Sequence, residues 1–485
     1  MAATPLQAYL DAAHLLRRAG FGGAPADVQA VAASGIAAST ADLINFDKTR
    51  YDFDDDAFIE KLLETMPERV KGGNLEVPAQ AARMWWTYRM LTTTRPLEEK
   101  MVLFWHNHFT SRDTDGLLMT QQNQLYRRHA LGNFRSLALA VSKDTEMLRY
   151  LNGNQNYRAH PNENYARELM ELFTCGRVGP DGKPNYTEDD VKAAARAFSG
   201  WNLRNNEFYY NPDQHDDTPK TFMGKTGNFN GNDIVEILVA LPATAHYVCR
   251  KLFRTFGYYE PEPAVMAELT RVYYASGYDI KAVVTTIFKS DAFWSSKARN
   301  SLFKSPVEFV VGTIKMAGLT NLFAPTFDEI IDDRDGEPGP RNRRMRPMAR
   351  LASLTLATRA MGQDLLAPTT VKGWDGGQAW INTDTIQARG KFGSTLGDGP
   401  AIMAALRGSI TGDVTVKAAA FDPATIGTGS PKAVVDSVLW RMGPLSLTPA
   451  AYKTIVDYAS SVSDPQARLS GVFSLVLSTP EYQMS

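Results

Sequence analysis

Residues 160–201 read HPNENYARELMELFTCGRVGPDGKPNYTEDDVKAAARAFSGW and contain the clearest helical pattern of the chain. At 100° per residue, the polar side chains fall within an arc of about 80°, and apolar side chains fill about 160° on the opposite side. The polar arc contains Glu163, Arg167, Glu171 and Thr174. Pro161 is typical of a first helical turn, and Gly176 is typical of a helix end. The pattern therefore predicts an amphipathic helix over residues 161–175.

The same helical periodicity recurs along most of the chain, from residues 5–20 to residues 465–479. Three longer segments interrupt it with Gly, Pro, Asn and Asp: residues 202–231, 332–346 and 363–399. The first of them contains a short strand pattern at Phe208-Tyr209-Tyr210. We therefore expect a mainly α protein, a large multi-helix assembly around a single core with a few short strands and long irregular loops.

The length allows two or three domains of average size or one large helical domain. The chain has 485 residues, of which 44% are hydrophobic, so it can bury a sizeable core. We expect one domain over residues 1–485. The alternative is a division into an N-terminal helical half, 1–201, which carries the polar helix, and a C-terminal helical half, 202–485, which carries the three loops.

The overall charge and hydropathy exclude two kinds of partner. The formal net charge is −1, so no overall basic field favours nucleic acid. No run of 18 or more apolar residues is present, so no membrane span is expected. The opening residues MAATPLQAYLDAAHLLRRAG lack the basic-then-apolar pattern of a signal peptide and predict a first helix. The protein is then either cytoplasmic or an exported protein whose leader has been removed.

The charged face of the helix at 161–175 has two interpretations. Pairs four residues apart, from Glu163 to Arg167 and from Arg167 to Glu171, would stabilise a solvated helix by about 0.2–0.5 kcal/mol each. Alternatively, Glu163, Glu168 and Glu171 face a cleft, where carboxylates around the Arg167 guanidinium bind a cation or divide into acid and base. The second interpretation makes these four residues the candidate catalytic group.

Histidines and acids elsewhere suggest a metal site assembled from separate segments. His108 projects onto the apolar stripe of a helix opened by Pro96, where it is either a buried structural histidine or an imidazole that faces the Glu163 helix. His215 and Asp216 lie in a loop dense in Asp, and Lys220 follows them. Carboxylate oxygens and imidazole nitrogens are ligands of divalent cations. His108, His215 and Asp216 are therefore the candidate ligands of a divalent cation.

Tryptophans and basic residues in the irregular segments suggest binding surfaces. Indole rings stack on sugars, so Trp201, Trp374 and Trp380, together with Lys220, are candidate substrate-binding residues, although most tryptophans belong to cores. In WDGGQAW, 374–380, two glycines beside two indoles predict a close approach to the backbone. The loop at 332–346 carries five arginines, which predicts either a solvated turn or a docking patch for an acidic partner.

Several segments resemble one protein family in the same order along the chain. They are HLLRRAGFG at 14–22, FWHNHF at 104–109, NENYARELMELFTCG at 162–176, YTEDDVKAAARAFSGW at 186–201, KSPVEFVVG at 304–312, VKGWDGGQAWINT at 371–383 and LSTPEYQ at 477–483. The chain is similar in these segments to the bacterial domain-of-unknown-function 1800 family. The resemblance covers nearly the whole chain and also points to Asp144 as an inward-facing residue.

The resemblance implies an exported protein, because members of that family are often exported. It also implies a neighbour-encoded partner, a protein of a second family that resembles phosphatases and sulfatases. Two functions follow as expectations. The first is an extracytoplasmic hydrolase that uses the carboxylates, with or without a divalent cation, on an extracellular small-molecule or polymer substrate such as a glycan or an ester. The second is a non-catalytic export or assembly partner of the phosphatase-like neighbour.

Overall fold

The computed structural model describes residues 5–65, 78–112, 115–324, 326, 347–397 and 430–485. The helices of its N-terminal half are α1 (Pro5–Ala19), α2 (Pro25–Ser34), α3 (Ile36–Ile44), α4 (Asp55–Thr65), α5 (Ala79–Thr92), α6 (Pro96–His108), α7 (Gly116–Arg128), α8 (Phe134–Ser142), α9 (Thr145–Tyr150), α10 (Asn164–Glu168) and α11 (Glu188–Phe198). The helices of its C-terminal half are α12 (Gly231–Val239), α13 (Pro242–Phe256), α14 (Pro263–Ala275), α15 (Ile280–Lys289), α16 (Asp291–Trp294), α17 (Pro306–Met316), α18 (Thr320–Phe323), α19 (Pro347–Ala360), α20 (Thr383–Gly397), α21 (Pro431–Arg441), α22 (Pro449–Ser461) and α23 (Pro465–Leu477).

Strands are few and short, so the expected mainly α fold is confirmed. Strand β1 (Trp201–Arg204) pairs antiparallel with β2 (Glu207–Tyr210), and β3 (Lys220–Phe222) pairs antiparallel with β4 (Lys225–Gly227). Both hairpins lie in the segment 202–231 or at its edge, and β2 contains the expected strand at 208–210. The basic loop at 332–346 and its arginines lie outside the described residues.

The helices pack around a large continuous cluster of buried apolar side chains. The cluster contains residues from Leu15 in α1 to Tyr482 near the carboxyl end, and both halves of the chain contribute to it. Three fully buried tryptophans, Trp85, Trp86 and Trp105, lie at its N-terminal side. Within the described segments, no helix is both long and apolar enough to cross a membrane.

One expectation about the loops is wrong. The segment 363–399 is irregular only in its first half, because residues Thr383–Gly397 form helix α20. Its glycines obscure the helical pattern in the sequence, yet they serve the packing against α23. A methyl group on Gly393 would contact Leu477, and one on Gly397 would lie 2.7 Å from the hydroxyl of Ser470. Small residues therefore allow the two helices to approach closely.

The helix expected at 161–175 also differs from its prediction. It begins at Asn164, and its second part, Leu169–Phe173, is a π-helix. Two hydrogen bonds close the end of this segment, since the Thr174 hydroxyl donates to the carbonyl of Leu169 and the Gly176 amide donates to the carbonyl of Met170. π-Helical turns are rare and occur frequently at functional sites.

Candidate functional site

The charged side chains of residues 163–171 connect α10 to the start of α11 at the protein surface. Arg167 forms ion pairs with Glu163 at 2.9 Å and with Glu188, at the start of α11, at 2.8 Å. Glu171 accepts a hydrogen bond from the Tyr186 hydroxyl at 2.9 Å. The side chains of Glu163 and Arg167 remain 38% and 34% exposed. The expected pairing four residues apart is thus present for Glu163, while Arg167 also holds the neighbouring helix.

Glu168 lies on the same helix and is partly buried. Burial, with a further contribution from Glu171, raises the pKa of the Glu168 carboxyl. A raised carboxyl pKa favours the protonated form that a general acid needs. Glu168 is therefore the member of the carboxylate group whose electrostatics best suit acid catalysis.

His108 is buried against the far end of the same segment. Its Nε2 lies 2.9 Å from the carbonyl oxygen of Phe173, the last residue of the π-helix. A carbonyl only accepts, so Nε2 carries the proton in this contact. Burial, together with the nearby Lys251 cation, lowers the pKa of His108 well below its usual value. The His108 imidazole is therefore neutral. It contacts the segment of Glu163 and Glu168 through the backbone carbonyl of Phe173, not through a carboxylate.

His215, Asp216 and Lys220 have partners within their own part of the chain. His215 Nδ1 lies 2.9 Å from the carbonyl of Ser199. Asp216 pairs with Arg196 at 2.6 Å and accepts from the Thr218 amide at 3.0 Å, and these contacts lower its carboxyl pKa despite burial. The buried Lys220 ammonium donates to the carbonyls of Asp216 and Thr218.

These hydrogen bonds fold the loop between β2 and β3 and do not assemble a metal centre. Across the described ranges, no group of three or more His, Cys, Asp or Glu residues is placed to hold a metal ion. His108 contacts Phe173 and His215 contacts Ser199, so the structure does not bring the candidate ligands into one site.

The three candidate tryptophans occupy different environments. Trp201 is buried edge-on between Phe198 and Phe208, with ring centroids 5.0 and 5.2 Å away. Trp380 is buried at the end of a short 3-10 helix. Trp374 is also mostly buried but lines a pocket, and its indole nitrogen is buried without a hydrogen-bond partner. Only Trp374 of the three lies in the cavity described next.

A cavity of about 610 Å³ opens between α13, the turn that follows the π-helix and the loop at 372–375. Pockets of 300–1,000 Å³ are typical of small-molecule sites. Its lining residues are Leu172, Gly176, Arg177, Val178, Gly179, Pro180, His246, Tyr247, Arg250, Lys251, Arg254, Lys372, Trp374 and Asp375. We call it the cationic pocket, because five of these residues are Arg or Lys and one is acidic.

Ion pairs compensate only part of this charge. Arg250 pairs with Glu260 at 2.8 Å, and Lys372 pairs with Asp375 at 2.8 Å. Among the described residues, no carboxylate lies within ion-pair distance of Arg177, Lys251 or Arg254. Three basic side chains therefore face one cavity without a direct ion pair. Glu260 and Glu188 interact with Arg254 and Arg177 at longer range, and an anionic ligand would still meet an excess of positive charge.

Lys251 is partly buried, as Arg254 is, whereas Arg177 is exposed. Its ammonium lies 5.3 Å from the centre of the Tyr247 ring. Burial, with a smaller contribution from Arg254, lowers the pKa of the Lys251 amine to about 7. Burial and Arg250 also lower the pKa of His246 in the same pocket. Both pKa shifts indicate that the pocket disfavours additional positive charge on these side chains.

The loop at 372–375 is held in place by the end of α6. The Trp374 amide donates to Asn107 Oδ1 at 2.7 Å, and Gly373 adopts a φ of +89°. A methyl group on Gly373 would lie 2.3 Å from Asn107 Oδ1. This close approach lies just before WDGGQAW; at the two glycines of that motif the surroundings are more open, since a methyl group on Gly377 would lie 3.3 Å from the Tyr259 hydroxyl and one on Gly376 would lie 4.0 Å from its nearest neighbour. The ring of His106 also packs against the Trp374 ring, with ring centroids 5.5 Å apart.

Sequence reasoning missed the residues that dominate this pocket. His246, Arg250 and Arg254 are spaced by four residues on α13, and Tyr247 and Lys251 follow the same spacing one position later. Such spacing places each set on one helical face, so a basic stripe was readable in the sequence. The approach of Trp374 and Arg177 to that stripe was not readable, because they are distant in the chain.

The comparisons with known proteins agree with the resemblance of the sequence segments. The model of the family described as "Protein of unknown function (DUF1800)" matches residues 14–484. The chain belongs to this family. A search of the curated proteins and of the solved structures finds no significant match.

Two of the segments that resemble the DUF1800 family line the cationic pocket, and a third contacts Trp374 in its wall. FWHNHF supplies Asn107 and His106, NENYARELMELFTCG ends at Gly176, and VKGWDGGQAWINT supplies Trp374. Two others meet elsewhere, where Lys304 of KSPVEFVVG donates to the carbonyl of Tyr482 in LSTPEYQ. The quoted segments thus contribute Leu172, Gly176, Lys372, Trp374 and Asp375 to the pocket lining, whereas Arg177 and the basic residues of α13 lie outside them.

Proposed function

We propose that this protein binds an anionic organic ligand in the cationic pocket. The observation that supports the proposal is the excess of Arg177, Lys251 and Arg254 over carboxylates around one 610 Å³ cavity. Guanidinium groups bind carboxylate and phosphate through paired hydrogen bonds. The apolar part of the ligand would lie against Leu172, Tyr247 and Trp374, so the expected ligand joins an acidic group to a compact organic body.

The hydrolase hypothesis remains a proposal, and it has two versions that use different residues. Its carboxylate version requires Glu163, Arg167, Glu168 and Glu171 to act on a substrate, yet none of the four lines the cationic pocket. A hydrolase that uses the cationic pocket would act on a substrate bearing an acidic group, such as a phosphate or sulfate ester. The extracytoplasmic location and the divalent cation also remain proposals, and metal analysis of the purified protein with a chelator-dependent melting curve tests the second.

The assembly-partner hypothesis also remains a proposal. Its arginine-rich loop lies outside the described residues, so no contact of the described structure bears on it. Copurification with the phosphatase-like neighbour, without metal and without anion binding, would favour this hypothesis over ligand binding.

Anion binding is tested by thermal melting and titration calorimetry with inorganic phosphate, sulfate and citrate. A ligand that binds only the folded state stabilises it by about 2.7 kcal/mol at a concentration of 100 Kd. We expect a rise in melting temperature for the natural protein and at least a tenfold weaker affinity in Arg254→Gln. Arg271→Gln is the matched control, because Arg271 is exposed on α14 and pairs with Glu268. Equal anion binding in both variants, or none in the natural protein, would overturn the proposal.

A further inference from the structure

We propose that Lys251 is a nucleophile that forms an imine with the carbonyl carbon of an anionic aldehyde or keto acid held in the cationic pocket. This inference rests on the proposed binding of anions, and it adds the chemical class of the ligand. It starts from the position of the amine, which lines the cavity beside Tyr247 and between the guanidinium groups of α13.

The surroundings of the amine leave it free to react. On its own helix it is flanked by Arg250, whose charge is paired with Glu260, and by Arg254, whose guanidinium lies 5.7 Å from the ring of Tyr259. From α6 it faces the neutral imidazole of His108. From the loop at 372–375 it faces Lys372 and Asp375, which pair with each other.

Other titratable groups near the pocket do not neutralise the amine. From the turn after the π-helix it faces Arg177, another cation. Burial raises the pKa of the neighbouring Tyr247 phenol to about 12, so this group is uncharged near neutral pH. Within the part of the chain that the structure describes, Lys251 has no carboxylate partner that would hold it as an ammonium ion.

An amine in such a site is suited to attack a carbonyl group. Only the unprotonated amine is nucleophilic, and lysines desolvated beside another cation are a recognised route to imine chemistry. With a pKa of about 7, an appreciable fraction of Lys251 is free base near neutral pH. A lysine at its usual pKa then has on the order of a thousandfold less free base. Arg177 and Arg254 supply the positive charge that would position the acidic group of the ligand.

The reaction balances without any further reagent. The Lys251 nitrogen forms a bond to the carbonyl carbon, and the carbonyl oxygen takes up a proton to give a carbinolamine. Loss of water then forms the carbon–nitrogen double bond, and the two amine hydrogens leave with the carbonyl oxygen as that water. An imine that takes up a proton withdraws electrons from the adjacent carbon, which favours the cleavage of a neighbouring bond.

Pyridoxal 5′-phosphate is the probe, because it joins an aldehyde to a phosphate, and pyridoxal is its matched partner without the phosphate. The protein is incubated with each at pH 7 and reduced with borohydride, and the labelled lysine is identified by peptide mass. We expect one equivalent of label on Lys251, formed at least tenfold faster with the phosphorylated probe. Pyruvate and succinic semialdehyde, tested in the same way, distinguish a keto acid from an anionic aldehyde as the preferred class.

Two variants and a pH series complete the test. Lys251→Arg keeps the charge but removes the nucleophile, so it should bind inorganic phosphate and give no specific label. Lys192→Arg removes an exposed lysine of α11 and should label as the natural protein does. In the natural protein, the rate of labelling of Lys251 should reach half of its maximum near pH 7, and this measurement does not depend on any variant folding.

The outcomes separate the two proposals. Phosphate binding with label spread over exposed lysines, or a labelling rate that rises only above pH 9, would overturn the imine and leave anion binding in place. Absence of both phosphate binding and specific label would overturn both. Label on Lys251 that is equally fast with pyridoxal would overturn the role of the anionic group.

Discussion

The backbone amide of Trp374 donates a hydrogen bond of 2.7 Å to the side-chain oxygen of Asn107, a residue 267 positions earlier in the chain. The Asn107 amide in turn lies 3.4 Å from the carbonyl of Trp374. This pair fixes one wall of the cationic pocket to the end of α6. The wall is therefore positioned by the core helix on which His106 and His108 lie.

Gly373→Ala should disrupt this junction. The added methyl group would lie 2.3 Å from Asn107 Oδ1, and the φ of +89° is strained for alanine. Together these effects should lower the free energy of unfolding by about 3–5 kcal/mol. Gly182→Ala is the control, because its φ is +77° and the space around it is open, so it should cost about 1–2 kcal/mol. Urea unfolding of both variants measures the difference, and equal losses would contradict the close approach.

Lys251→Met should stabilise the ligand-free protein and weaken anion binding at the same time. Burial lowers the pKa of Lys251 from its usual 10.5 to about 7, so between these values the unfolded chain binds more protons than the folded protein. The contribution of this group to stability therefore rises with pH across that window, and its destabilising effect is complete below pH 7. The gain in melting temperature should be largest at pH 6 and vanish towards pH 10.5.

The affinity of the natural protein for sulfate, whose own charge is constant between pH 6 and 9, should also depend on pH. A bound anion favours the ammonium form of Lys251, so binding takes up a proton when the amine is partly neutral. The affinity should be constant below pH 7 and fall as the pH rises above it. Calorimetry in buffers of different ionisation enthalpy would measure the proton uptake, and a pH-independent affinity between 6 and 9 would contradict the role of Lys251.

Glu168→Gln separates the carboxylate hypothesis from the cationic pocket. The pKa of Glu168 is raised by burial and by Glu171, so a neutral glutamine should be tolerated with little change in melting temperature. Phosphate binding should stay within twofold of the natural value, because Glu168 does not line the cationic pocket. If a substrate is found, loss of turnover in this variant with intact phosphate binding would support the carboxylate hydrolase.

Glu99→Gln should be among the most destabilising polar substitutions. Glu99 is fully buried and accepts hydrogen bonds from Arg89, Arg127 and the Trp86 indole. Burial acts to raise its carboxyl pKa, but Arg127 and Arg89 outweigh burial and lower the pKa to about 2. Removing one charge from such a buried group should cost about 3–5 kcal/mol.

The pH dependence of this network has the opposite sign to that of Lys251. The stability that Glu99 contributes is complete above its usual pKa of 4.5 and is lost as the pH falls towards about 2. Glu98→Gln is the control, because burial and Glu99 raise the pKa of the neighbouring Glu98 carboxyl. Its neutral replacement should be nearly without effect, and acid unfolding curves that shift equally for both variants would contradict this assignment.

The sequence by itself determined the helical class, the family and the polar character of residues 163–171. Periodicity is a local property, so the pattern in NENYARELMELF predicted a helix correctly even though it could not show the π-helical turn at Leu169–Phe173. A helical projection also does not contain the Thr174 and Gly176 hydrogen bonds that close this helix end. The helix α20 was hidden because its glycines are used for close packing against α23.

Only the tertiary structure decided which polar residues share a cavity. His108, His215 and the carboxylates of α10 have the residue types of a catalytic site, yet backbone carbonyls and neighbouring side chains satisfy several of them separately. In the sequence, Lys251 is one basic residue of a helical pattern. Its pKa is lowered mainly by burial in the folded protein, with a smaller contribution from Arg254. Burial depends on contacts between residues far apart in the chain, which is why a local pattern identifies the helix and its basic stripe but not the pocket that it lines.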